Sequence, residues 1–283
     1  MVLDLLGRID WLKSLVYLSA INPEYTRRYS KKSGIPWPGG RIPVCVTFDL
    51  DYQKDVDALD FVLDVFSSFN IKSSFACIGK LIEKNPRVHD RLLDDGHEII
   101  NHTYSHPNNE VYSPNRFFNK IPKKERVEEI RKTQAVCTRL FGYTPTGFRT
   151  PHFAGLHGYF VYPILKSLGM RYSSSVLAVD GANPRFVSCI LELPVTTCPK
   201  NVFHAFDTYH GIRKGVHARD FYYLFEFAVN VNARADNMVN VYFDPQDVFN
   251  TRLLERMLEM LSKKRVWVAK TEEVAVWCSK NKK

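Results

Sequence analysis

Residues 42–51 read Ile-Pro-Val-Cys-Val-Thr-Phe-Asp-Leu-Asp, an apolar run that ends in two carboxylates. The run is bounded by the Gly39–Gly40 turn, and this pattern predicts a buried strand over Ile42–Phe48. Because side chains alternate along a strand, we expect Asp49 and Asp51 on one side, about 7 Å apart. Two like charges there are costly unless a cation or hydrogen-bond donors meet them. The stretch therefore predicts a core strand with a polar site at its end.

A second stretch, His102–His106, reads His-Thr-Tyr-Ser-His and carries two imidazoles four residues apart. In a helix the two rings would share a face, with Cβ atoms about 5–6 Å apart. Pro107 disfavours helical backbone at the residue before it, so an irregular turn is the alternative. One carboxylate and two imidazoles form a ligand set that leaves the fourth position of a catalytic zinc open for water. The second carboxylate is then available as a base.

Strand-like and helix-like segments alternate from Ile42 onward, which predicts an α/β fold with a parallel sheet. The 283 residues, 45% of them hydrophobic, suffice for one large core. Strands are predicted at 42–48, 71–78, 97–101, 146–150, 171–176, 190–195, 239–243 and 266–269. Helices are predicted at 56–69, 85–93, 123–141, 158–168, 218–232 and 248–263. The region 177–219 has no clear periodicity and is not assigned.

The chain is predicted to have two parts, an N-terminal segment over 1–40 and a barrel domain over 41–283. The segment begins with an amphipathic helix and continues as an extended connection over Asn22–Gly40, which is rich in proline and glycine. Charged residues interrupt the helix, so it is too polar for a signal core or a membrane span. We expect it to pack on the protein's own surface, with peripheral membrane contact through residues 2–18 as the alternative.

The charge and the cysteine content of the chain limit which partners and which cellular location can be expected. The net charge is +9 and the pI is near 9.2, but the basic residues are dispersed and no nucleic-acid-binding motif accompanies them. We therefore expect no nucleic-acid partner. The six cysteines form no C-x-x-C pair, and several lie in apolar runs as small core residues. Together with the absence of a signal pattern, this predicts a cytoplasmic location.

Polar residues that could bind a metal or take part in catalysis follow several of the predicted strands. Asp49 and Asp51 come at the end of the first strand, His102 after the third, Arg149 after the fourth and Asp244 after a late one. In a βα barrel, catalytic groups from distant parts of the chain gather at the carboxyl ends of the strands. Independent core residues have no reason to align in this way, so the alignment predicts one functional site.

Three stretches, in chain order, resemble the first three motifs of the polysaccharide deacetylase family, the NodB-homology or carbohydrate esterase family 4 group. They are Thr47–Asp51, His102–His106 and Arg149–Phe153. The resemblance extends over roughly residues 42 to 270 and implies a distorted, incomplete (β/α) barrel of about seven parallel strands. It further implies a divalent metal, usually zinc, and removal of acetyl groups from N- or O-acetylated sugars.

The resemblance assigns roles to individual residues. The metal ligands it implies are Asp51, His102 and His106. Asp49 would take a proton from water as the general base, and Arg149 would hold it by hydrogen bonds and favour its ionised form. The backbone N–H of His152 would donate to the developing oxyanion, with Phe153 beside it in the substrate site.

One position departs from the family pattern. Where the family ends a late strand in a histidine that protonates the leaving amine, this chain carries Asp244, followed by proline. An aspartate can serve as general acid only if its pKa rises well above the reference of about 3.9. The alternatives are that His204 or His210 supplies the proton, that the leaving group is not a sugar amine, or that Asp244 opens an ordinary turn. We favour Asp244 as the acid.

Three functions are compatible with these residues. The leading hypothesis is a metal-dependent hydrolase that removes acetyl groups from N-acetylated sugars of a glycan or a glycolipid precursor. The second is a deformylase or another C–N amide hydrolase that acts on a small or lipid-linked substrate. The third is a non-catalytic carbohydrate-binding domain. The third is disfavoured because a lapsed site has no physical need to keep three metal ligands and a base in register.

Overall fold

A curled, mostly parallel sheet built around β1 (Pro43–Leu50) organises the structure, a computed structural model that describes residues 21–152 and 159–281. In chain order the other strands are β2 (Ser74–Cys77), β3 (Glu98–Asn101), β4 (Gly147–Phe148), β5 (Tyr172–Ser173), β6 (Arg185–Val187), β7 (Ile190–Glu192), β8 (Thr197–Cys198), β9 (Asn201–Ala205), β10 (Val239–Phe243) and β11 (Trp267–Val268). The α-helices of the described residues are Pro23–Tyr29, Gln53–Asp57, Leu59–Ser68, Gly79–Lys84, Pro86–Asp94, Lys123–Phe141, Val161–Ser167, Ala218–Arg234, Pro245–Val248, Leu253–Ser262 and Thr271–Lys280.

The strand order of the main sheet is β10, β1, β2, β3, β4, β5, β7 and β6, with β11 beside the start of β1. Every pairing is parallel except that of β6 with β7. The gap between β7 and β10 is bridged by irregular backbone, where Thr196 N donates to Asn240 O at 2.7 Å. The parallel order places the carboxyl ends of the strands at one edge. The predicted α/β fold with an incomplete barrel of about seven parallel strands is confirmed.

The strand β1 lies at the centre of the core, and all eight of its residues are buried. A strand that is buried on both faces reads as a continuous apolar run, as this one does. The Phe48 ring stacks on Phe75 at 5.3 Å between centroids, and its edge contacts Phe66 at 5.8 Å and Phe243 at 6.0 Å. Burial of each such ring contributes about 1.5–3 kcal/mol. This aromatic cluster holds β1, β2 and β10 together beneath the polar edge.

The predicted extended connection over Asn22–Gly40 is wrong in its first part, where the chain forms the helix Pro23–Tyr29. The Asn22 side chain accepts a hydrogen bond from Glu24 N at 2.9 Å, and proline stands at the first helical position. Both are helix-start signals, and two tyrosines one turn apart on this helix are fully buried. The helix therefore forms because tertiary burial adds to a short local capping signal.

The other differences concern the ends of elements. The predicted helix 56–69 is divided at Ala58, and the predicted helix 248–263 is divided after Val248, where Asn250 takes a left-handed backbone with φ of 53°. Region 177–219, in which a strand over 190–195 is the one predicted element, contains β6, β7 and the β8–β9 hairpin. The predicted amphipathic helix over 2–18 lies outside the described residues. Among the helices of the described residues, none has both the length and the apolar composition that a membrane span requires.

The buried histidine His89 gives the fold a defined acid sensitivity. It lies on the helix Pro86–Asp94 with Nδ1 2.8 Å from Asn85 O, and burial lowers its pKa from 6.5 to about 4. Because the pKa of His89 is lower in the folded state, the unfolded chain binds this proton more readily. The contribution of His89 to the free energy of unfolding is therefore fully present above pH 6.5 and is lost as the pH falls toward 4. We expect the free energy of unfolding to drop by about 2 kcal/mol from this group between pH 7 and pH 5.

The test is urea unfolding of His89→Asn at both pH values, because asparagine keeps a donor near the Nδ1 position and does not titrate. The variant should lose about 2 kcal/mol less than the wild type between pH 7 and pH 5. Burial also lowers the pKa of His97 to about 4, but this contribution is common to all proteins compared and cancels. An unchanged pH dependence in His89→Asn would contradict the prediction.

Candidate active site

A cavity of about 520 Å³ opens at the carboxyl ends of the parallel strands. Its wall contains Asp49 and Asp51 from the end of β1, His102 from the turn after β3, His152 from the segment after β4, and Asp244 from the residue after β10. The polar residues that follow the strands therefore lie in the wall of one cavity, as the sequence predicted.

Asp51, His102 and His106 form a compact group, with one ligand atom from each within 4.8 Å of the others. His102 Nε2 lies 3.3 Å from Asp51 Oδ1, and His106 Nε2 lies 3.5 Å from Asp51 Oδ2. Asp49 stands beside the group, with its Oδ2 4.0 Å from His102 Nε2. The two carboxylates and two imidazoles therefore converge as the sequence predicted.

The hydrogen bonding of this group suits a divalent metal. His102 Nδ1 lies 2.9 Å from Arg149 O, which can only accept, so Nδ1 carries the hydrogen and Nε2 keeps its lone pair. Asp51 Oδ1 is buried and has no hydrogen-bond partner within the described part of the chain. A buried carboxylate oxygen without a partner is costly, and a cation would remove that cost. One carboxylate and two imidazoles are a donor set that zinc accepts.

Local electrostatics favour ligand-competent forms of two of these groups. Burial acts to raise the pKa of Asp51, but the His106 and His102 imidazoles outweigh it and hold that pKa well below the ordinary value. Burial lowers the pKa of His106 to about 3, so its imidazole is neutral. Burial acts in the same direction on His102, but Asp51 and Asp49 outweigh it and raise its pKa. A proton and a metal ion would therefore compete for His102 Nε2.

Asp49 is held by Arg149, as expected from the sequence. The fully buried guanidinium donates from NH1 to Asp49 Oδ1 at 2.6 Å and to Thr47 Oγ1 at 2.8 Å, and from NH2 to Ser174 Oγ at 3.0 Å. Burial raises the pKa of Asp49, while Arg149 and His102 act to lower it without cancelling the rise. Arg149 thus favours the ionised form, but the net pKa lies above the ordinary value. A raised pKa suits a general base, because proton transfer is most effective when the pKa approaches the working pH.

The His102–His106 segment is an irregular turn and not a helix, because Thr103 and His106 have φ of 66° and 50°. The turn is fixed by Glu129 of the helix Lys123–Phe141, whose Oε2 accepts from Tyr104 N and Ser105 N at 3.1 and 2.8 Å. Its Oε1 accepts from the Ser105 hydroxyl at 2.7 Å. Sequence reasoning missed Glu129 because it appeared as one more acidic residue on an amphipathic helix, and its burial is visible only in the tertiary structure.

The backbone of Asp51 is also anchored. Asp55 Oδ2 accepts from Asp51 N at 3.1 Å and from Tyr52 N at 3.0 Å, and Asn109 Nδ2 donates to Asp51 O at 2.9 Å. Neither Asp55 nor Asn109 was singled out from the sequence. The available signal was an acidic residue four positions after Asp51, in the first turn of a short helix, since carboxylates there commonly accept from the backbone N–H groups at the helix start.

His152 lies against the Asp51–His102–His106 group, with its ring centroid 4.8 Å from that of His106. Its backbone has φ of 60°, which is uncommon outside glycine and marks a tight turn after the Thr150–Pro151 step. Burial lowers the pKa of the His152 imidazole. The role of its N–H as an oxyanion donor stays a prediction, and Phe153 lies outside the described residues.

Asp244 faces the cavity but is bound to another side chain. Its Oδ2 accepts from Arg213 NH2 at 2.5 Å, and its backbone N donates to Thr208 Oγ1 at 2.9 Å. Burial and the nearby Asp55 raise the pKa of Asp244 well above its ordinary value, and Arg213 opposes them. A raised pKa is what a general acid needs, and the assignment of Asp244 as the acid stays a prediction.

The rim of the cavity exposes aromatic side chains. Phe203 is 74% exposed and Tyr209 is 44% exposed, and both line the cavity beside His204 and His210. Large apolar groups exposed at the mouth of a polar cavity mark a ligand-binding groove. All four residues belong to the region that sequence reasoning left unassigned.

Comparison with known proteins places these residues in context. Residues 38–173 match the sequence model of the family described as Polysaccharide deacetylase. The chain is 34% identical over 115 residues to the peptidoglycan-N-acetylglucosamine deacetylase of Bacillus cereus, an alignment that covers 41% of this chain and 38% of that protein. The chain thus matches well under half of the length of this curated relative.

Solved structures share the fold. A Mycobacterium smegmatis structure described as a polysaccharide deacetylase superimposes with a TM-score of 0.76 at 17% identity, covering 89% of this chain and 95% of that one. A Bacillus anthracis protein described as a CE4 family pseudoenzyme superimposes with a TM-score of 0.59 at 14% identity, covering 83% of this chain and 66% of that one. Because the fold includes a pseudoenzyme, the superpositions show the architecture alone, and an inference about activity depends on the residues in the cavity.

Proposed function

We propose that this chain, whose residues 38–173 place it in the polysaccharide deacetylase family, is a metal-dependent hydrolase that removes acetyl groups from N-acetylated sugars of a glycan or glycan precursor. The observation that supports the proposal is the convergence of the Asp51–His102–His106 group and the buried Asp49–Arg149 pair on one cavity. A binding domain without catalysis would need neither an anionic ligand set nor a base beside it.

Different residues have different roles in the proposed reaction. Asp51, His102 and His106 would hold the metal, and a divalent ion held there would supply Lewis-acid activation of water and of the substrate carbonyl. Arg149 donates to Asp49 Oδ1 at 2.6 Å, so the other oxygen, Oδ2, remains on the side of His102 to accept the proton of the attacking water. The N–H of His152 would donate to the oxyanion that forms on the acetyl carbonyl.

The substrate class follows from the cavity and its rim. The cavity of about 520 Å³ admits one sugar with its acetamido group, and the exposed Phe203 and Tyr209 offer apolar surfaces for the faces of adjacent sugar rings. The Bacillus cereus relative is named for N-acetylglucosamine in peptidoglycan, which makes N-acetylglucosamine oligomers the first substrates to test. We infer an N-acetylhexosamine within a longer saccharide as the substrate.

The test is acyl release from a panel containing N-acetylglucosamine oligomers, their N-formyl analogues and small linear and cyclic amides. We expect acetate from the N-acetylated oligomers, a loss of at least about a hundredfold after dialysis against a chelator, and recovery on addition of Zn²⁺ or another divalent ion. Release of formate alone, or hydrolysis of small amides alone, would replace the proposal with the second hypothesis. Acetate release that survives exhaustive chelation would refute the metal-dependent mechanism.

A further inference from the structure

A histidine–carboxylate pair outside the metal-ligand group faces the same cavity. Asp207 is 1% exposed, and its Oδ1 accepts from His210 N at 2.6 Å while its Oδ2 lies 2.7 Å from His210 Nδ1. Because the carboxylate accepts, Nδ1 carries the hydrogen. Nε2 of this ring has no hydrogen-bond partner within residues 21–152 and 159–281, and the side chain is 36% exposed. The pair therefore fixes the orientation of an imidazole that lines the cavity.

The pair lies close to the Asp49–Arg149 pair, with a single tyrosine ring between them. The Tyr242 hydroxyl donates to Asp207 Oδ2 at 3.2 Å, and the guanidinium carbon of Arg149 lies 5.4 Å from the centroid of the Tyr242 ring. Tyr242 and His210 both line the cavity that contains Asp49. Contacts through Tyr242 thus connect the Asp49–Arg149 pair with the Asp207–His210 pair, and Asp49 and His210 line the same cavity.

The geometry around Asp244 is less suited to proton donation. Arg213 bonds Asp244 Oδ2 at 2.5 Å and, through Nε, Asp247 Oδ1 at 2.7 Å, so the guanidinium ties two carboxylates together. Although burial raises the pKa of Asp244, the charged guanidinium donates to Oδ2, so this oxygen cannot carry the proton that a leaving nitrogen would take. The Asp244 side chain is 10% exposed, whereas that of His210 is 36% exposed. Histidine, in addition, is the side chain type whose protonation changes most readily near neutral pH.

We propose that His210, oriented by Asp207, is the general acid that protonates the leaving nitrogen. This inference rests on the proposed deacetylase function. Water adds its oxygen to the acetyl carbon and yields a proton to Asp49. As the C–N bond breaks, its electron pair goes to the nitrogen, which takes the proton from His210 Nε2 and leaves as the amine. Acetic acid is the second product, and the proton on Asp49 returns to His210 through solvent to complete the cycle.

The test compares two leaving groups in His210→Asn, which keeps a donor to Asp207 and removes Nε2. The substrates are an N-acetylglucosamine oligomer, whose amine must be protonated to leave, and 4-nitrophenyl acetate, whose phenolate leaves without a proton. We expect kcat for the oligomer to fall by about a hundredfold or more and kcat for the ester to stay within about threefold of wild type. Metal content should equal that of the wild type.

Two further variants complete the comparison. His217→Asn is the matched control, because His217 is exposed and does not line the cavity, and both rates should stay near wild type. In Asp244→Asn any loss should be equal for the two substrates. A loss confined to the oligomer in Asp244→Asn, with His210→Asn unaffected, would make Asp244 the acid.

An equal loss for both substrates in His210→Asn would also overturn the inference, because it would mean a structural role. A wild-type protein that hydrolyses the ester but no N-acetylated sugar would refute the proposed function itself, and with it this inference. A wild-type protein that deacetylates the sugar, together with an unaffected His210→Asn, would refute the inference alone.

Discussion

Exchange of Asp51 for alanine is expected to remove the metal from the purified protein and to lower kcat by about a thousandfold or more. Asp51 is the one anionic member of the group, with its two oxygens 3.3 and 3.5 Å from Nε2 of His102 and His106. Two neutral imidazoles in a buried site cannot offset the charge of a divalent ion. A loss of about 4 kcal/mol of transition-state stabilisation from the metal corresponds to that factor.

Metal content after dialysis, measured by mass spectrometry, tests this directly. Thermal unfolding gives a second measurement, because a ligand at one hundred times its Kd stabilises a folded protein by about 2.7 kcal/mol. Added Zn²⁺ should raise the Tm of the wild type and leave that of Asp51→Ala unchanged. The matched control is Glu110→Ala, which removes an exposed carboxylate from the wall of the same cavity and should retain the metal. One equivalent of tightly bound metal in Asp51→Ala would exclude the assigned ligand set.

Exchange of Asp49 for asparagine is expected to lower kcat by about a hundredfold to ten-thousandfold while the metal stays bound. Asparagine has the shape of aspartate and can still accept from Arg149 through its carbonyl oxygen, but it cannot take a proton from water. The change also leaves the fully buried guanidinium of Arg149 without its anionic partner, which costs about 3–5 kcal/mol of stability. The rate must therefore be measured at a temperature where the variant is folded.

Asp247→Asn is the control for the second prediction, because it also removes a carboxylate from an arginine pair, that of Arg213, without touching the metal-ligand group. It should lose stability and keep kcat within about threefold of wild type. Metal content and circular dichroism establish that each variant is loaded and folded. If Asp49→Asn retained more than about a tenth of kcat with the metal in place, another group would have to act as the base.

Most helices and strands could be predicted from the sequence because each has a strong local pattern of residues. The helix Lys123–Phe141 and the strand Val239–Phe243 have the predicted bounds, and all eight predicted strands have counterparts in the main sheet. Each pattern depends on the residues of one segment alone. It consists of a hydrophobic periodicity that ends at a glycine or another turn residue. The short helix Pro23–Tyr29 was missed because its local signal is one cap and one proline, and two buried tyrosines supply the rest.

The sequence by itself determined the strand that ends in Asp49 and Asp51, the pairing of two histidines four residues apart, and their expected meeting at the carboxyl edge of a parallel sheet. Only the tertiary structure decided which groups support and complete that site: Glu129 beneath the histidine turn, Arg213 on Asp244, and Asp207 on His210. The physical reason is the range of the interactions. Periodicity and capping act over a few neighbouring residues, whereas a contact such as that between Arg149 and Asp49, 100 positions apart, exists only where the folded sheet places the two side chains.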